Sequence, residues 1–154
     1  MKRDFIAILD FGSQYTHLIA RRIRECGVYS EIFPYDIKAE ELIGKSPKGI
    51  ILSGGPASVI SLESPQPDLR IFNSAIPILG ICYGAQLLAK IFGGKVEKAR
   101  EREYGRTILK INAQSDLFKG LKKEETVWMS HGDRIAKLPL GFKIIASTKN
   151  SPIA

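Results

Sequence analysis

Four short apolar runs alternate with helical patterns in the first 95 residues, and this alternation constrains the fold more than any other feature. Continuous apolar runs of this length are typical of strands buried on both faces of a sheet. Strands separated by helices favour a parallel sheet with crossover connections, so we expect a doubly wound α/β fold. The predicted strands are residues 5–9, 28–33, 49–53 and 77–81.

Helices are predicted between these strands, at residues 14–26, 36–44, 67–74 and 83–94. The apolar residues of the first helix recur about one turn apart and predict one buried face. They are Leu18, Ile19, Ile23 and Cys26. Gly27 stands where a glycine commonly ends a helix, and Asp36 is the predicted N-cap of the second helix.

The second half of the chain lacks long helical patterns. Residues 106–112, 126–130 and 142–148 read as successive strands, which favours an antiparallel extension or edge ribbon. No internal repeat, low-complexity tract or linker interrupts the sequence. One domain spanning residues 1–154 is therefore the simplest interpretation.

Charge and composition disfavour several classes of protein. The formal charge is +7, but the densest basic groups, at residues 21–25 and 100–106, are interleaved with glutamate, so we expect no nucleic-acid partner. No apolar run approaches the ~20 residues that span a bilayer, and the N-terminus does not resemble a secretory signal, so we expect no membrane association. The two cysteines are far apart and form neither a disulfide framework nor a metal motif. We expect a cytoplasmic protein without a bound metal.

Residues 80–84, Gly-Ile-Cys-Tyr-Gly, place a thiol at the corner between the fourth strand and its helix. This pattern is the thiol version of a nucleophile elbow, in which Gly80 and Gly84 have a structural role because side chains there would clash in the strained turn. The helix N-terminus favours the thiolate, and the Tyr83 N–H is placed to donate to an oxyanion. We predict that Cys82 is a nucleophile. Cys26 is interpreted as a small apolar residue packed under a helix.

A second glycine-rich turn, Ser53-Gly54-Gly55-Pro56, follows the third strand. It lies at the same carboxyl edge of the sheet as the elbow, which is where ligands bind in open α/β sheets. We predict that the Gly55 N–H is the second oxyanion donor. The triplet Asp10-Phe11-Gly12 resembles a kinase motif but has no kinase context, and the absence of G-x-G-x-x-G after the first strand disfavours dinucleotide binding.

Several stretches together resemble the class I (triad) glutamine amidotransferase family, in the branch formed by GMP synthases. The stretches are ILDFGSQYTHLIARRIRECGVYSE, GIILSGGPASV, LGICYGAQLLAKIFGGKVE, REYG, VWMSHGDRIAKLP and ASTKNSPIA, which cover essentially the whole chain. The elbow alone would indicate only some amidotransferase or hydrolase, whereas ILDFGSQYT and WMSHGD narrow the resemblance to this branch. The resemblance implies a flavodoxin-like three-layer sandwich with a mostly parallel central sheet and an added antiparallel portion.

The resemblance also implies a reaction. Cys82 would attack the side-chain amide of glutamine and form a γ-glutamyl thioester, while the Gly55 and Tyr83 amides hold the oxyanion. The substrate contacts that it implies are made by Gly54, by Gln86 and by a loop that contains Ser130, His131 and Asp133.

The ammonia released would pass to an ATP-pyrophosphatase synthetase domain, normally on the same chain, that aminates XMP to GMP in purine biosynthesis. ATP and magnesium would bind in that domain, and this domain would need no cofactor. The full-length protein is expected to be a homodimer.

One departure from the family pattern affects the catalytic activity expected of residues 1–154, and two others do not. The family completes its triad with a His and a Glu in an H-P-E motif, which we expect beyond residue 154. Residues 1–154 alone are therefore expected to lack glutaminase activity. His17 and Ala85 replace a usual Gln and a common Met without touching the predicted chemistry, and neither His17 nor His131 is expected to serve as the base.

Three alternatives stay open at this stage. The chain could be an amidotransferase for another acceptor, as in anthranilate or carbamoyl phosphate synthesis. It could be a non-catalytic glutamine-binding or regulatory domain. It could also be a cysteine hydrolase of the dienelactone type, which the SHGD and SGGP matches disfavour.

Overall fold

The structure, a computed structural model, describes residues 4–154 apart from the side chains of residues 100–103. Residues 1–3, at the start of the N-terminal stretch, and those four side chains, in the basic and acidic segment 100–106, lie outside the described residues. The chain forms two compact units, one ending at Leu87 and the other beginning at Leu88.

The first unit contains a four-stranded parallel sheet with the order β2-β1-β3-β4. The strands are β1 (Phe5–Asp10), β2 (Tyr29–Pro34), β3 (Gly49–Leu52) and β4 (Ile78–Gly80). The four predicted strands are confirmed. Because the chain passes from β2 over β1 to β3, the strand order reverses between β1 and β3. At such a switch point the loops that follow the two strands diverge and leave a crevice.

Helix α1 (Thr16–Glu25) packs against β1 and β2. Its buried residues are Thr16 and Ala20, whereas Leu18 is 43% exposed and Cys26 is also exposed. The predicted apolar face is therefore wrong for Leu18 and Cys26, because the helix turns its small residues toward the sheet. Gly27 follows the helix with a φ of +79°, which confirms the predicted glycine at its end.

Helix α2 (Ala39–Gly44) begins three residues after Asp36, and the predicted Asp36 cap is wrong. The Ala39 N–H instead donates to Oδ2 of Asp68 over 3.0 Å. Asp68 also caps the 3-10 helix Leu69–Asn73, because its Oδ1 accepts from the Arg70 N–H over 3.1 Å. The Asp68 carboxylate thus accepts hydrogen bonds from main-chain N–H groups in the first turns of two helices, and α2 is distant from it in sequence.

The second unit contains an antiparallel sheet with the order β6-β5-β7. Its strands are β5 (Lys95–Ile111), β6 (Glu124–Lys137) and β7 (Ala146–Ser147), and a short 3-10 helix (Asp116–Phe118) lies between β5 and β6. The antiparallel extension is confirmed, although β5 and β6, with 17 and 14 residues, are much longer than predicted. Helix α3 (Tyr83–Ile91) runs from the first unit into the second.

The hairpin formed by β5 and β6 has one strongly exposed face. Tyr104 is paired with Ser130 and Arg106 with Trp128, and directly opposed residues of an antiparallel pair project to the same face. Trp128 is 69% exposed and Tyr104 is 63% exposed. Within residues 4–154, no helix combines the length and the apolar surface that crossing a bilayer requires.

Candidate active site

Cys82 lies between the end of β4 and the start of α3, and its φ is +49°. In residues 4–154, Cys82 and Ser46 are the two non-glycine residues with a positive φ. A left-handed conformation is unfavourable for a residue with a side chain and persists where the surrounding structure enforces it. The backbone at Cys82 thus has the strained geometry that is expected of a nucleophile elbow.

The two glycines that flank Cys82 have no room for a side chain. A methyl group on Gly84 would lie 2.3 Å from the Leu52 carbonyl oxygen, and one on Gly80 would lie 2.5 Å from the Ala85 nitrogen. Both neighbours are main-chain atoms, which do not move aside easily. The start of α3 therefore lies in direct contact with the end of β3.

Main-chain hydrogen bonds fix the corner from both sides. The Ile81 N–H donates to the Leu52 carbonyl over 3.0 Å, and the Gly84 N–H donates to the Ser53 carbonyl over 3.2 Å. The Cys82 carbonyl accepts from the Gln86 N–H over 3.0 Å and so begins the hydrogen bonding of α3. The thiol is consequently carried by a rigid connection between two buried elements.

The predicted oxyanion turn lies beside the thiol. A methyl group on Gly54 would approach the Cys82 Cβ to 3.6 Å and the Ser13 Oγ to 3.7 Å. At Gly55 the same methyl group would meet the Phe11 carbonyl oxygen at 2.3 Å. A methyl group at the first glycine would thus make only ordinary van der Waals contact with the cysteine, whereas the second glycine permits the close approach of the loop after β1.

Ser53 holds this turn in place and was not singled out by the sequence. Its side chain is fully buried, and its Oγ accepts from the Phe11 N–H over 2.9 Å while donating to the Gly54 carbonyl over 2.8 Å. Its own N–H donates to the Leu9 carbonyl over 3.1 Å. No local signal in the sequence links Phe11 to Ser53, because they are 42 residues apart and meet only across the sheet.

Tyr83 is anchored by its side chain as well as by its place at the start of α3. It is 2% exposed, and its hydroxyl donates to the Pro65 carbonyl over 2.6 Å. Burial raises the pKa of the Tyr83 phenol, and a hydrogen bond with Ser64 offsets part of that rise. The phenol thus stays protonated, and it ties the start of α3 to the long loop after β3.

Gln86, the predicted glutamine contact, lies one helical turn after Cys82 on α3 and is 7% exposed. The first unit therefore brings five predicted site residues into one neighbourhood. They are Gly54, Gly55, Cys82, Tyr83 and Gln86. His17, which was not expected to act as a base, is exposed on α1.

The segment Ser130-His131-Gly132-Asp133 belongs to β6, so the expected loop is wrong. It is held in the strand by pairing with β5: His131 is paired with Glu103 and Asp133 with Lys98. Between these pairs, four residues of β5, 99–102, stand opposite Gly132 alone and form a bulge. Strand alternation places Ser130 on the face opposite to His131, and Asp133 is 9% exposed.

Metal-ligating side chains do not converge anywhere in the described part of the chain. No group of three or more His, Cys, Asp or Glu residues there could hold a metal ion. The chemistry that the site can perform with its own residues is nucleophilic attack by the Cys82 thiol on an electrophilic carbon.

A family model described as "Glutamine amidotransferase class-I" matches residues 7–154. The chain belongs to this family. Three curated relatives, all named "GMP synthase [glutamine-hydrolyzing]", match over 154 residues, which is the whole chain. They come from Syntrophomonas wolfei (54% identical), Caldanaerobacter subterraneus (56%) and Aliarcobacter butzleri (51%). The chain spans 30% of the length of these relatives.

Solved structures support the same assignment. A protein from Thermoplasma acidophilum, described as one subunit of a GMP synthase, is 36% identical with a TM-score of 0.86, and the alignment covers 99% of this chain and 77% of that one. A glutamine amidotransferase from Thermotoga maritima, 20% identical with a TM-score of 0.78 over 99% of this chain and 70% of that one, shares the fold. The predicted amidotransferase-like α/β fold, with a parallel sheet and an added antiparallel sheet, is confirmed.

Proposed function

We propose that this chain is the glutaminase component of a GMP synthase, in which glutamine is hydrolysed through a thioester on Cys82. The observation that carries the proposal is the left-handed Cys82, with a φ of +49°, at a corner against which the Gly54-Gly55 turn packs. The name shared by relatives that are 51–56% identical supports the choice of GMP synthase over amidotransferases for other acceptors.

In the proposed reaction the Cys82 thiolate adds to the carboxamide carbon of glutamine. The carbonyl oxygen takes the electron pair and becomes an oxyanion, which the Tyr83 and Gly55 N–H groups stabilise. Collapse of this intermediate breaks the C–N bond, and ammonia leaves with a proton. Water then hydrolyses the thioester to glutamate and restores the thiol. Proton transfer falls to the histidine that the family resemblance places after residue 154.

Binding of the rest of the glutamine molecule is assigned to Gly54, Gln86, Ser130, His131 and Asp133. In the complete protein, ammonia passes to a synthetase domain that uses ATP and magnesium to aminate XMP to GMP. That domain is the proposed partner, and the complete protein is proposed to be a cytoplasmic homodimer. This domain is proposed to need no cofactor of its own.

An electrophilic glutamine analogue tests the glutaminase assignment. The analogue carries a chloromethyl ketone in place of the carboxamide, so it alkylates a nearby thiol without needing a general acid. Peptide mapping after limited labelling should find the label on Cys82, with Cys26 as an internal control because it is exposed on the same chain. Free glutamine should protect Cys82, since both compounds compete for one site.

A matched reagent makes the outcome specific. The D-enantiomer of the analogue has the same length and the same intrinsic reactivity, but it presents its α-amino and α-carboxylate groups with the opposite handedness and should label Cys82 much more slowly. Equal labelling by both reagents, or labelling that glutamine does not slow, would contradict a glutamine site. In the full-length protein, release of GMP from XMP, ATP and glutamine distinguishes the proposed acceptor from any other.

A further inference from the structure

Phe11 follows β1 at the switch point of the sheet and is 4% exposed. The loop around it is shaped by Asp10, whose Oδ1 accepts from the Gly12 N–H over 2.9 Å and from the Thr16 hydroxyl over 2.8 Å. These two bonds fix the turn that leads from β1 into α1. Phe11 is thereby held in one conformation at the edge where the elbow and the glycine turn meet.

The main chain of Phe11 lies against the glycine turn. Its N–H donates to the buried Ser53 Oγ over 2.9 Å, and that hydroxyl in turn donates to the Gly54 carbonyl over 2.8 Å. Its carbonyl oxygen is so close to Gly55 that a methyl group there would lie 2.3 Å away. Both polar main-chain groups of Phe11 therefore contact the turn that carries one proposed oxyanion donor.

The side chain of Phe11 contacts the residue that carries the other proposed donor. The centroid of its ring lies 5.2 Å from that of the Tyr83 ring. It also lies 5.6 Å from the centroid of the Tyr35 ring. Tyr83 is itself 2% exposed, so this contact is buried. Aromatic pairs at these separations contribute beyond the area they bury. Phe11 thus contacts both parts of the proposed oxyanion site, the Gly54-Gly55 turn and Tyr83.

We propose that Phe11, together with Ser53, is a positioning residue that fixes the distance between the Gly55 and Tyr83 N–H groups. The inference rests on the proposed function, because it concerns the donors of that reaction. Two donors stabilise an oxyanion only if both reach the place where the charge develops, and small displacements are costly. Phe11 takes no chemical step in the proposed reaction, and it acts through the Gly54-Gly55 turn and through Tyr83.

The test compares two reactions of the same thiol. Acylation of Cys82 by the γ-(4-nitrophenyl) ester of glutamate passes through an oxyanion: the Sγ–carbonyl bond forms, and 4-nitrophenolate leaves with the electron pair. Alkylation of Cys82 by iodoacetamide is a displacement at carbon that forms no oxyanion. The ratio of the two rates therefore reports on the oxyanion site and is corrected for thiol access and ionisation.

Two variants and two matched controls define the experiment. Ser53→Ala removes the acceptor of the Phe11 N–H, and Ser30→Ala removes an equally buried hydroxyl that donates to the Ala20 carbonyl elsewhere in the same unit. Phe11→Leu removes the ring contact with Tyr83, and Phe5→Leu removes a buried ring of β1 that contacts Phe33.

We expect Ser53→Ala and Phe11→Leu each to lower the acylation rate about ten- to a hundred-fold, while iodoacetamide alkylation stays unchanged. The two controls should lose thermal stability but keep the ratio. If a folded Ser53→Ala variant keeps the wild-type ratio, or if its acylation and alkylation fall in parallel, the inference is overturned. Ser53→Ala removes a single oxygen and no ring, so it is the variant that decides the question if Phe11→Leu unfolds.

Failure of the proposed function has a different signature. If wild-type Cys82 is acylated no faster than Cys26, or if glutamine does not slow the acylation, the glutamine site itself is wrong and the positioning role falls with it. If wild-type Cys82 reacts selectively and is protected by glutamine, only the variants decide whether Phe11 and Ser53 set the donor spacing.

Discussion

The hydroxyl of Tyr83 donates to the carbonyl of Pro65 over 2.6 Å and joins the first residue of α3 to a loop 18 residues earlier in the chain. Because the Tyr83 side chain is buried, the Pro65 carbonyl has a protein donor in a place where water has little access. The bond therefore connects the stability of the loop after β3 with the position of the elbow.

Tyr83→Phe should destabilise the first unit by about 1–2 kcal/mol at pH 7.5, because it leaves the Pro65 carbonyl without its donor. Urea unfolding measures the loss, and Tyr15→Phe, at an exposed tyrosine, is the matched control. Burial raises the pKa of Tyr83 above its usual value of about 10, so the contribution of its neutral phenol is complete below that pH and is lost as pH rises through the folded-state pKa. The difference between wild type and Tyr83→Phe should therefore shrink above about pH 10, and a constant difference would contradict the role of the phenol.

Gly55→Ala should displace the glycine turn, since its methyl group would lie 2.3 Å from the Phe11 carbonyl oxygen. We expect labelling of Cys82 by the glutamate 4-nitrophenyl ester to slow about a hundred-fold, because the donor moves away from the oxyanion. Gly44→Ala is the control: a methyl group there meets nothing within 4 Å. Rates that are equal for the two variants would show that Gly55 is not part of the site.

Cys82→Ala in the full-length protein should abolish GMP formation from glutamine and leave GMP formation from added ammonia intact. The reason is that the thiol is needed only to release ammonia from glutamine. Both rates are measured by GMP release, and Cys26→Ala should leave both unchanged. Loss of the ammonia-dependent reaction in Cys82→Ala would instead indicate a structural role for the residue.

Iodoacetamide should alkylate Cys82 faster than Cys26 near neutral pH, although Cys26 is the more exposed thiol. Cys82 immediately precedes the N-terminus of α3, where the helix dipole stabilises the thiolate, whereas Cys26 follows the C-terminus of α1. Peptide mapping at short reaction times gives both rates from one sample. Faster labelling of Cys26 would contradict activation of the thiol by the elbow.

Asp68→Asn should lower the thermal unfolding temperature at neutral pH, because the carboxylate accepts hydrogen bonds from Arg70 and from the Ala39 N–H. These hydrogen bonds, those from Arg70 above all, hold the pKa of Asp68 well below its usual range. The stabilisation is therefore present above about pH 4 and is lost as pH falls through the folded-state pKa. Calorimetry from pH 7 to pH 2 should show the two proteins converging, and the exposed Asp36→Asn should show little difference throughout.

The parallel strands were predictable because burial on both faces of a sheet requires a continuous apolar run. The elbow was predictable for a related reason, since Cys82 and its two glycines lie within five consecutive residues, 80–84. The lengths of β5 and β6 were not predictable from apolar content. One face of that hairpin is exposed and polar or charged over much of its length. Lysines, arginines and glutamates therefore interrupt the apolar residues, and a search for apolar runs does not detect the full length of the strands.

Features that depend on distant parts of the chain could not be predicted from the sequence. Asp36 stands at a suitable place for a local cap, but Asp68, 29 residues after Ala39, makes the hydrogen bond. In the sequence, Phe11 stood out only as part of the triplet Asp10-Phe11-Gly12, which resembles a kinase motif by chance. Its contacts with Ser53 and Tyr83 exist only after the sheet has formed. A single sequence records which residues are apolar, small or charged, and it does not record which of them meet.

The exposed face of the β5–β6 hairpin carries the only tryptophan of the sequence, and 69% of Trp128 is open to solvent. Its indole should fluoresce with the red-shifted emission of a hydrated ring. Any molecule that comes to cover this face would shift the emission to shorter wavelength and slow its collisional quenching by iodide or acrylamide. The chain therefore contains its own optical reporter for this surface, with no second tryptophan to dilute the signal.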